Sequence, residues 1–123
     1  TTDTPPVTVD PDRIHEVLGN LLDNALRHTP PGGTVAVTAR LNKDRARPAA
    51  VIEIADSGTG FPTQDAERIF GRFEKHGGSP GSGLGLTIAR AIIEAHHGSL
   101  IASSDGPGTG ARFTVRIPAA TKS

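Results

Sequence analysis

The sequence predicts a fold of the α+β class: a two-layer α/β sandwich in which a mixed, mainly antiparallel sheet of about five strands packs on three helices. Apolar residues recur at helical spacing from about Pro11 to His28, which predicts a first helix. Strand-like segments come in adjacent pairs, at 34–41 and 50–55 and again at 99–103 and 111–117. Because strands and helices do not alternate steadily, a parallel dinucleotide fold is disfavoured and helices on one face of the sheet are favoured.

Composition and charge exclude several classes of protein. The 123 residues suffice for one domain, and 13 basic against 13 acidic residues give no electrostatic case for binding nucleic acid or an anionic membrane. The absence of cysteine excludes disulfides and thiolate metal sites. We expect residues 1–6 to be a linker or chain end, 7–118 to be the domain and 119–123 to be a C-terminal tail. Because the chain starts with Thr1, we expect a fragment of a longer protein.

The first helix carries the clearest local signals. Asp10 is predicted to be its N-cap and Pro11 its first residue, after a short strand at Val7–Val9. The run of Thr, Pro and Gly at 29–33 ends it. The residues of its apolar stripe are expected to be buried, namely Leu18, Leu21, Leu22, Ala25 and Leu26.

One face of this helix gathers polar side chains. Asn20 and Asn24 are one turn apart, and Arg27 or His28 follows on the same face. The two amides supply neutral oxygen ligands, and the arginine adds a positive charge. The face therefore suits a magnesium ion and the phosphates that it carries, provided that the rest of the chain supplies a nucleotide pocket.

The rest of the chain is predicted to contain a charged hairpin turn at 42–49 and a short helix over Thr63–Phe73, capped by Thr63. The last helix is predicted over Leu84–His97, with Gly98 as its C-cap. Its inward side chains are expected to be Leu86, Ile88, Ala89, Ile92 and Ile93. Residues 76–83 are rich in Gly and Ser, and we expect them to be mobile without a ligand.

Three glycine-rich segments could each be a structural turn or loop, or part of a binding site. Gly81–Gly85 lacks the preceding strand of a dinucleotide fingerprint and the lysine of a P-loop, so it is either a flexible loop or a helix start whose amides bind an anion. Asp56–Gly60 follows a strand, and is either a turn or a site whose carboxylate accepts a hydrogen bond from an exocyclic amine such as that of adenine. Gly106–Gly110 is interpreted as a structural turn.

The order of these motifs is more specific than any one of them. The motifs are Asn20-Leu-Leu-Asp-Asn-Ala25, Asp56-Ser-Gly-Thr-Gly60, Ile69-Phe-Gly-Arg-Phe73, Gly81-Ser-Gly-Leu-Gly-Leu86 and Gly108-Thr-Gly110. This order and spacing resemble the catalytic, ATP-binding domain of sensor histidine kinases, within the gyrase/Hsp90/MutL-type ATPase superfamily. The resemblance covers Val7–Pro118 and implies the Bergerat-type ATP-binding fold.

The resemblance implies a role for each polar residue of the first helix. Asn24 would be the main magnesium ligand, and Asn20 would help to hold the metal or its waters. Arg27 takes the place of a basic phosphate contact, and His28 takes that of the ring beside the purine. On the base side, the resemblance implies that Asp56 recognises adenine.

The glycines and aromatic residues also have implied roles. Gly58 and Gly60 would let the base lie against the backbone, and Thr109 would contact the adenine side through a water. Phe70 and Phe73 resemble the aromatic pair that anchors an ATP lid. The implied catalytic group is Asn20, Asn24, Arg27 and Arg72, the last placed to reach the γ-phosphate. The end of the lid would contact the phosphates through Gly81, Ser82, Gly83, Leu84, Gly85 and Leu86.

The implied activity is transfer of the ATP γ-phosphate to a histidine on a separate dimerisation domain, with ATP and Mg²⁺ as cofactors, in two-component signal transduction. A response regulator receiver domain would be the next partner. The fragment is expected to be a monomer and its parent a homodimeric membrane sensor, with this domain in the cytoplasm. None of the chain's own histidines fits the acceptor pattern, neither His15 nor His28, His76, His96 or His97.

One departure from the superfamily bears on hydrolysis. Hydrolytic members carry a general-base Glu four residues before the metal-binding Asn, where this chain has Asn20. Without a positioned base, water is poorly activated, so slow hydrolysis is expected. The alternatives are an anti-sigma-type serine kinase, a gyrase-like ATPase and a non-catalytic nucleotide-binding module; Asn20 and the Phe70/Phe73 pattern argue against the first two.

Overall fold

A computed structural model describes residues 10–42, 48–70 and 84–118. In these ranges a four-stranded antiparallel sheet, in the order β1-β2-β4-β3, carries two α-helices on one face. The elements are α1 (Pro11–Arg27), β1 (Val35–Asn42), β2 (Ala49–Asp56), two 3₁₀ turns (Thr63–Asp65 and Arg68–Phe70), α2 (Leu84–Ala95), β3 (Ser99–Ser103) and β4 (Ala111–Pro118). The predicted α+β sandwich is confirmed, although the strand and helix counts differ slightly. The predicted strand at Val7–Val9 lies outside the described residues.

Helix α1 begins and ends as its sequence predicts. The Asp10 carboxylate accepts hydrogen bonds from the backbone N–H groups of Asp12 and Arg13, at 3.0 and 3.5 Å, and so caps the helix. His96 links this cap to the end of α2, because its Nε2 accepts a hydrogen bond from the Asp10 N–H at 3.1 Å. The start of α1 and the end of α2 are therefore tied together, although they are 86 residues apart in the chain.

Burial along α1 follows a narrower stripe than predicted. Val17, Leu21 and Ala25 are fully buried against the sheet, but Leu26 is 64% exposed. The expectation that Leu26 is buried was wrong. Consecutive residues are 100° apart around a helix, so Leu26 lies beside the buried row that ends at Ala25, in the last turn.

The pairing of β2 with both β1 and β4 places Asp56 between two neighbouring strands. The register pairs Val35 with Asp56 on one side and Asp56 with Ala111 on the other. Asp56 therefore ends an interior strand of the sheet, where neighbouring strands surround its backbone. Residues 43–47, in the predicted hairpin turn, lie outside the described residues.

The predicted continuous helix from Thr63 is replaced by two short 3₁₀ turns, as far as Phe70. The Thr63 hydroxyl makes no cap but donates to the Ser104 carbonyl at 3.1 Å. A capping side chain that is used for a contact between loops cannot start an α-helix. Phe70 ends this segment buried in the core, edge-on to Phe113 at a centroid distance of 6.3 Å.

The end of α2 differs from prediction by two residues. The helix stops at Ala95, and His97 rather than Gly98 adopts the left-handed conformation, with φ of 67°. The Gly98 N–H donates to the Ile93 carbonyl at 2.9 Å, which completes a Schellman motif. Gly98 is required for a different reason, since a Cβ there would lie 2.2 Å from a β4 carbonyl, that of Arg116.

The core is formed where α1 and α2 meet the inner face of the sheet. Its largest fully buried side chains are Phe113, Leu21, Ile54, Ile93, Leu100, Val17 and Val115. Ile88, which was predicted to face inward, is 43% exposed, so that expectation was wrong. In the described ranges no helix has the length and apolar character needed to cross a membrane.

Candidate functional site

A cleft opens between the end of α1, the end of β2 and the first turn of α2. It is lined by Asn24, His28, Asp56, Thr59, Gly60, Phe61, Ile69, Leu86, Ala111 and Phe113. Its volume is about 180 Å³, below the roughly 300–1,000 Å³ of sites that enclose a drug-sized ligand. The described walls therefore suit one ring system, with the rest of a larger ligand extending outward.

The α1 face contributes an amide and an imidazole. Asn24 and His28 are one helical turn apart and both line the cleft. Within the described part of the chain, neither side chain makes a hydrogen bond, so both polar groups are available to a ligand.

Asn20, one turn earlier, has a different environment and does not line the cleft. Its Nδ2 donates to the backbone carbonyl of Gly85 at 3.2 Å. The bond ties α1 to the first turn of α2. It also fixes which end of the amide faces Gly85, so Oδ1 is the atom left for a metal or its water.

Arg27 is exposed at the end of α1 and forms an ion pair with Asp23, one turn earlier. It does not line the cleft. The pair uses only Nη2 of the guanidinium, so Arg27 can contact a phosphate either through its other N–H donors or by exchanging Asp23 for it. Exposed pairs of this kind contribute roughly 0–1 kcal/mol, so the exchange is inexpensive.

Asp56 is the one buried polar or charged residue of the described ranges, at 8% exposure. Its Oδ1 accepts a hydrogen bond from the Gly58 N–H at 2.8 Å. Its other oxygen accepts none from the residues that the structure describes. Because a buried carboxylate is costly unless it is hydrogen-bonded, a ligand that donates to Asp56 would relieve this imbalance.

The glycines after Asp56 are required by close contacts between backbones. A Cβ at Gly58 would lie 2.0 Å from the His28 carbonyl, which also accepts the Thr59 N–H at 3.1 Å. Gly60 has φ of 63°, and a Cβ there would lie 2.5 Å from the Gly106 carbonyl. These glycines let the segment after β2 pack between α1 and the β3–β4 loop, and so set the floor of the cleft.

The Gly106–Gly110 segment, interpreted from sequence as a turn, also frames the site. A Cβ at Gly110 would lie 2.0 Å from the Asp56 carbonyl, and the Gly108 N–H donates to the Thr59 carbonyl at 2.6 Å. Thr109 does not line the cleft. Its hydroxyl donates to the Gly106 carbonyl at 2.6 Å, and it borders a smaller neighbouring cavity that also contacts Asp56.

Ser104 holds the segment after β2 against the β3–β4 loop, and it was not among the predicted site residues. Its Oγ accepts the Phe61 N–H at 3.1 Å and donates to the Gly110 carbonyl at 2.7 Å. A serine after a strand gives no sequence signal of such a role. Five further residues line the cleft without having been predicted as site residues: Thr59, Phe61, Ile69, Ala111 and Phe113. For Phe113, the inward alternation of β4 was an available signal.

The aromatic and lid residues are only partly described. Phe70 is buried behind the cleft, while its neighbour Ile69 lines it. Leu86 lines the opposite side, and Gly85 contacts Asn20. Leu84 opens α2. The other predicted residues lie outside the described ranges: Arg72, Phe73, Gly81, Ser82 and Gly83.

The amide oxygens of Asn24 and Asn20 could supply part of the coordination shell of a magnesium ion. No group of three or more His, Asp or Glu side chains in the described ranges could hold a metal unaided. Magnesium commonly takes one or two protein oxygens and completes its shell with phosphates and water. The unbonded Asn24 amide offers one such oxygen, so these donors fit a magnesium ion that completes its shell with phosphates and water.

Comparisons with known sequences show the family of the chain. The family described as histidine kinase-, DNA gyrase B- and HSP90-like ATPase matches residues 9–121. The adaptive-response sensory kinase SasA of Synechococcus elongatus is 38% identical over 119 residues, which is 94% of this chain and 30% of that protein. The sensor protein SrrB of Staphylococcus aureus is 39% identical over 116 residues, 90% of this chain and 19% of that protein. The chain thus spans less than a third of these curated relatives.

Solved structures show the same architecture. The mycobacterial sensor histidine kinase MprB is 32% identical, with a TM-score of 0.77 over 94% of this chain and 78% of that chain. A nucleotide-free catalytic domain of the histidine kinase ThkA is 30% identical, with a TM-score of 0.78 over 94% of this chain and 73% of that chain. Full-length ShkA in complex with AMPPNP is 30% identical, with a TM-score of 0.79 over 97% of this chain and 24% of that chain.

Fold, cleft and matches define an ATPase-type domain of the α+β class. The chain belongs to the histidine kinase-, DNA gyrase B- and HSP90-like ATPase family, and it is homologous to the catalytic domains of sensor histidine kinases.

Proposed function

We propose that the cleft binds ATP together with Mg²⁺ and that the domain donates the γ-phosphate to a histidine on a separate dimerisation domain. A response regulator receiver domain would take the phosphoryl group next. The observation that carries the proposal is Asp56, a carboxylate that is 8% exposed in an otherwise largely apolar cleft. Such a group selects a ligand that is flat, apolar on its faces and a hydrogen-bond donor at its edge.

Adenine meets these requirements on the base side. Its exocyclic amine can donate to the oxygen of Asp56 that Gly58 leaves free. Ile69 and Leu86 supply apolar contact for the ring. A base with a carbonyl at the same position would place its oxygen against the Asp56 carboxylate, and both groups only accept hydrogen bonds. The site therefore favours adenine over guanine.

The two helices present opposite dipole ends to the phosphates. The N-terminus of α2, at Leu84, favours an anion, whereas the C-terminus of α1 disfavours one. Positive charge is therefore needed on the α1 side, where Arg27 stands and where Asn24 and Asn20 would hold the metal. The bound ion would neutralise phosphate charge that develops during transfer.

In the part of the chain that the structure describes, the position from which hydrolytic relatives activate water holds no carboxylate. Asn20 occupies the position of the catalytic Glu of hydrolytic relatives, and its amide is engaged with Gly85. We therefore favour transfer to a histidine over hydrolysis. The roles of Arg72, Phe73, Gly81, Ser82 and Gly83 at the phosphates are proposed on the resemblance alone.

The names of two relatives support the cellular setting of this proposal. SasA and SrrB are named as a sensory kinase and a sensor protein, and the ShkA structure holds AMPPNP, an ATP analogue. We propose that this domain lies in the cytoplasm, that its parent is a homodimeric membrane sensor, and that the isolated domain is monomeric.

The test is calorimetric titration of the chain with ATP and with GTP in the presence of Mg²⁺, for wild type and Asp56→Asn. We expect saturable ATP binding, weaker GTP binding, and a loss of roughly 10- to 100-fold in ATP affinity in the variant, because one charged hydrogen bond is replaced by a mismatched amide. Asp12→Asn, the same change on the exposed first turn of α1, is the matched control and should bind as wild type does. Equal ATP affinity of Asp56→Asn and wild type would contradict the proposal.

A further inference from the structure

Directly behind two walls of the cleft lies a cluster whose ion pair has no part in the proposed mechanism. We name it the clamp, and it consists of Glu67, Phe70, Thr87 and Arg90. Glu67 and Phe70 come from the segment before residue 71, while Thr87 and Arg90 come from α2. The clamp therefore joins two parts of the chain that are 17 or more residues apart.

The ion pair of the clamp has specific geometry. Arg90 Nη1 and Nη2 donate to the two carboxylate oxygens of Glu67, at 2.8 and 3.0 Å. The guanidinium also lies over the Phe70 ring, 4.3 Å from its centroid. A planar fork that pairs with a carboxylate and stacks on an aromatic ring is a role that lysine cannot fill.

Charge and protonation agree with that geometry. The hydrogen bond from Arg90 lowers the pKa of the Glu67 carboxyl, against partial burial, and the charge of Arg90 lowers it further. A second carboxylate, Glu94 Oε2, lies 3.5 Å from Arg90 Nε. Glu94 thus adds negative charge on the other side of Arg90 without a hydrogen bond to Nε, and only 24% of the Arg90 side chain is exposed.

The clamp is connected to the cleft through adjacent residues. The Thr87 hydroxyl donates to the Phe70 carbonyl at 2.5 Å. Ile69 precedes Phe70 and Leu86 precedes Thr87, and both Ile69 and Leu86 line the cleft. Fixing Phe70 against α2 therefore fixes the gap between these two walls.

We propose that the Glu67–Arg90 pair is a positioning element for the nucleotide, which sets the gap between Ile69 and Leu86 and thereby the affinity of the cleft for ATP. The inference rests on the proposed function, since it assumes that this cleft receives the base. Glu67 and Arg90 do not line the cleft, so they act through their neighbours and are not catalytic residues.

A purely structural role predicts a different result. The Glu67 side chain is 73% exposed, and ion pairs with an exposed partner contribute little to stability. If the pair merely stabilised the fold, neutralising it would shift the melting temperature slightly and leave the affinity of the folded protein unchanged. Affinity measured on folded protein therefore separates the two roles.

The experiment is titration of the 123-residue chain with ATP and Mg²⁺ for Glu67→Gln, Arg90→Gln, the double variant and Arg90→Lys. It is done at a temperature where circular dichroism shows each protein folded. We expect each neutral variant to bind ATP roughly 2- to 30-fold more weakly, the scale of coupling through a packed network. The double variant should lose about as much as one single variant, and Arg90→Lys should recover only part of the loss.

The control is Arg13→Gln, which breaks another ion pair, to Glu16 at 3.0 Å, on α1 away from the cleft. It should bind ATP as wild type does. If wild type binds ATP and Glu67→Gln binds it equally well, the inference is overturned while the proposed function stands. If wild type binds no ATP, both are overturned. Glu67→Gln changes an exposed side chain, so it gives a folded variant even if Arg90→Gln does not fold.

Discussion

The amide nitrogen of Asn20 donates a hydrogen bond to the backbone carbonyl of Gly85, 65 residues further along the chain, at 3.2 Å. This hydrogen bond gives Asn20 a different environment from Asn24, although the sequence places both on one helix face. Asn24 points into the cleft with its amide unbonded by described residues, while Asn20 faces the first turn of α2. In the proposed site Asn24 would bind the metal directly, and Asn20 links that side of the cleft to the helix whose N-terminus would favour the phosphates.

The first prediction concerns this difference between the asparagines. Asn24→Ala should remove the enhancement of ATP affinity by Mg²⁺, because the available protein oxygen is lost. Asn20→Ala should retain part of the enhancement, since the Asn24 amide remains. Titrations with ATP in Mg²⁺ and in EDTA measure the enhancement for each variant. A full enhancement in Asn24→Ala would show that the metal is held elsewhere.

The second prediction concerns glycine packing. Gly58→Ala should destabilise the fold by roughly 1–3 kcal/mol, because its Cβ would lie 2.0 Å from the His28 carbonyl and the backbone must shift. Gly19→Ala is the matched control, with no atom within 4 Å of its Cβ. It lies in the interior of α1, so it should stabilise the protein by about 0.5–1 kcal/mol. Urea unfolding measures both; an unchanged midpoint for Gly58→Ala would contradict the close contact.

The third prediction concerns pH and the clamp. The folded-state pKa of Glu67 is lowered from 4.5, chiefly by the hydrogen bond from Arg90. A lowered carboxyl pKa contributes stability above the unfolded value, and the contribution is lost as pH falls through the folded value. The small difference in melting temperature between wild type and Glu67→Gln should therefore be present at neutral pH and shrink below pH 4.5. A difference that persists in acid would argue against the ion pair as its source.

Much of this fold is readable from local chemistry. The Asp10 cap, the apolar period of α1 and the β1–β2 hairpin each depend on neighbouring residues, and the structure confirms them. Exposure depends on how wide a stripe of each helix the core covers. Leu26 and Ile88 fit the helical period and are still exposed, because each lies about 100° around its helix from a fully buried alanine, Ala25 and Ala89.

The site is less predictable than the fold because its walls come from distant segments. Asp56 stands out in sequence as an aspartate at a strand end before glycines. Ser104 does not, since its role consists of backbone contacts from two loops that meet only in the folded chain. Thr63 failed as a predicted cap for the same reason, as its hydroxyl binds the Ser104 carbonyl.

Phosphoryl transfer tests the central claim most directly. The chain is incubated with γ-labelled ATP and Mg²⁺, alone and with a separately produced dimerisation domain of its parent. The account predicts label on the partner's histidine, as an acid-labile and alkali-stable bond, and slow phosphate release without the partner. Rapid phosphate release by the chain alone, with no label on the partner, would contradict it and identify a hydrolase.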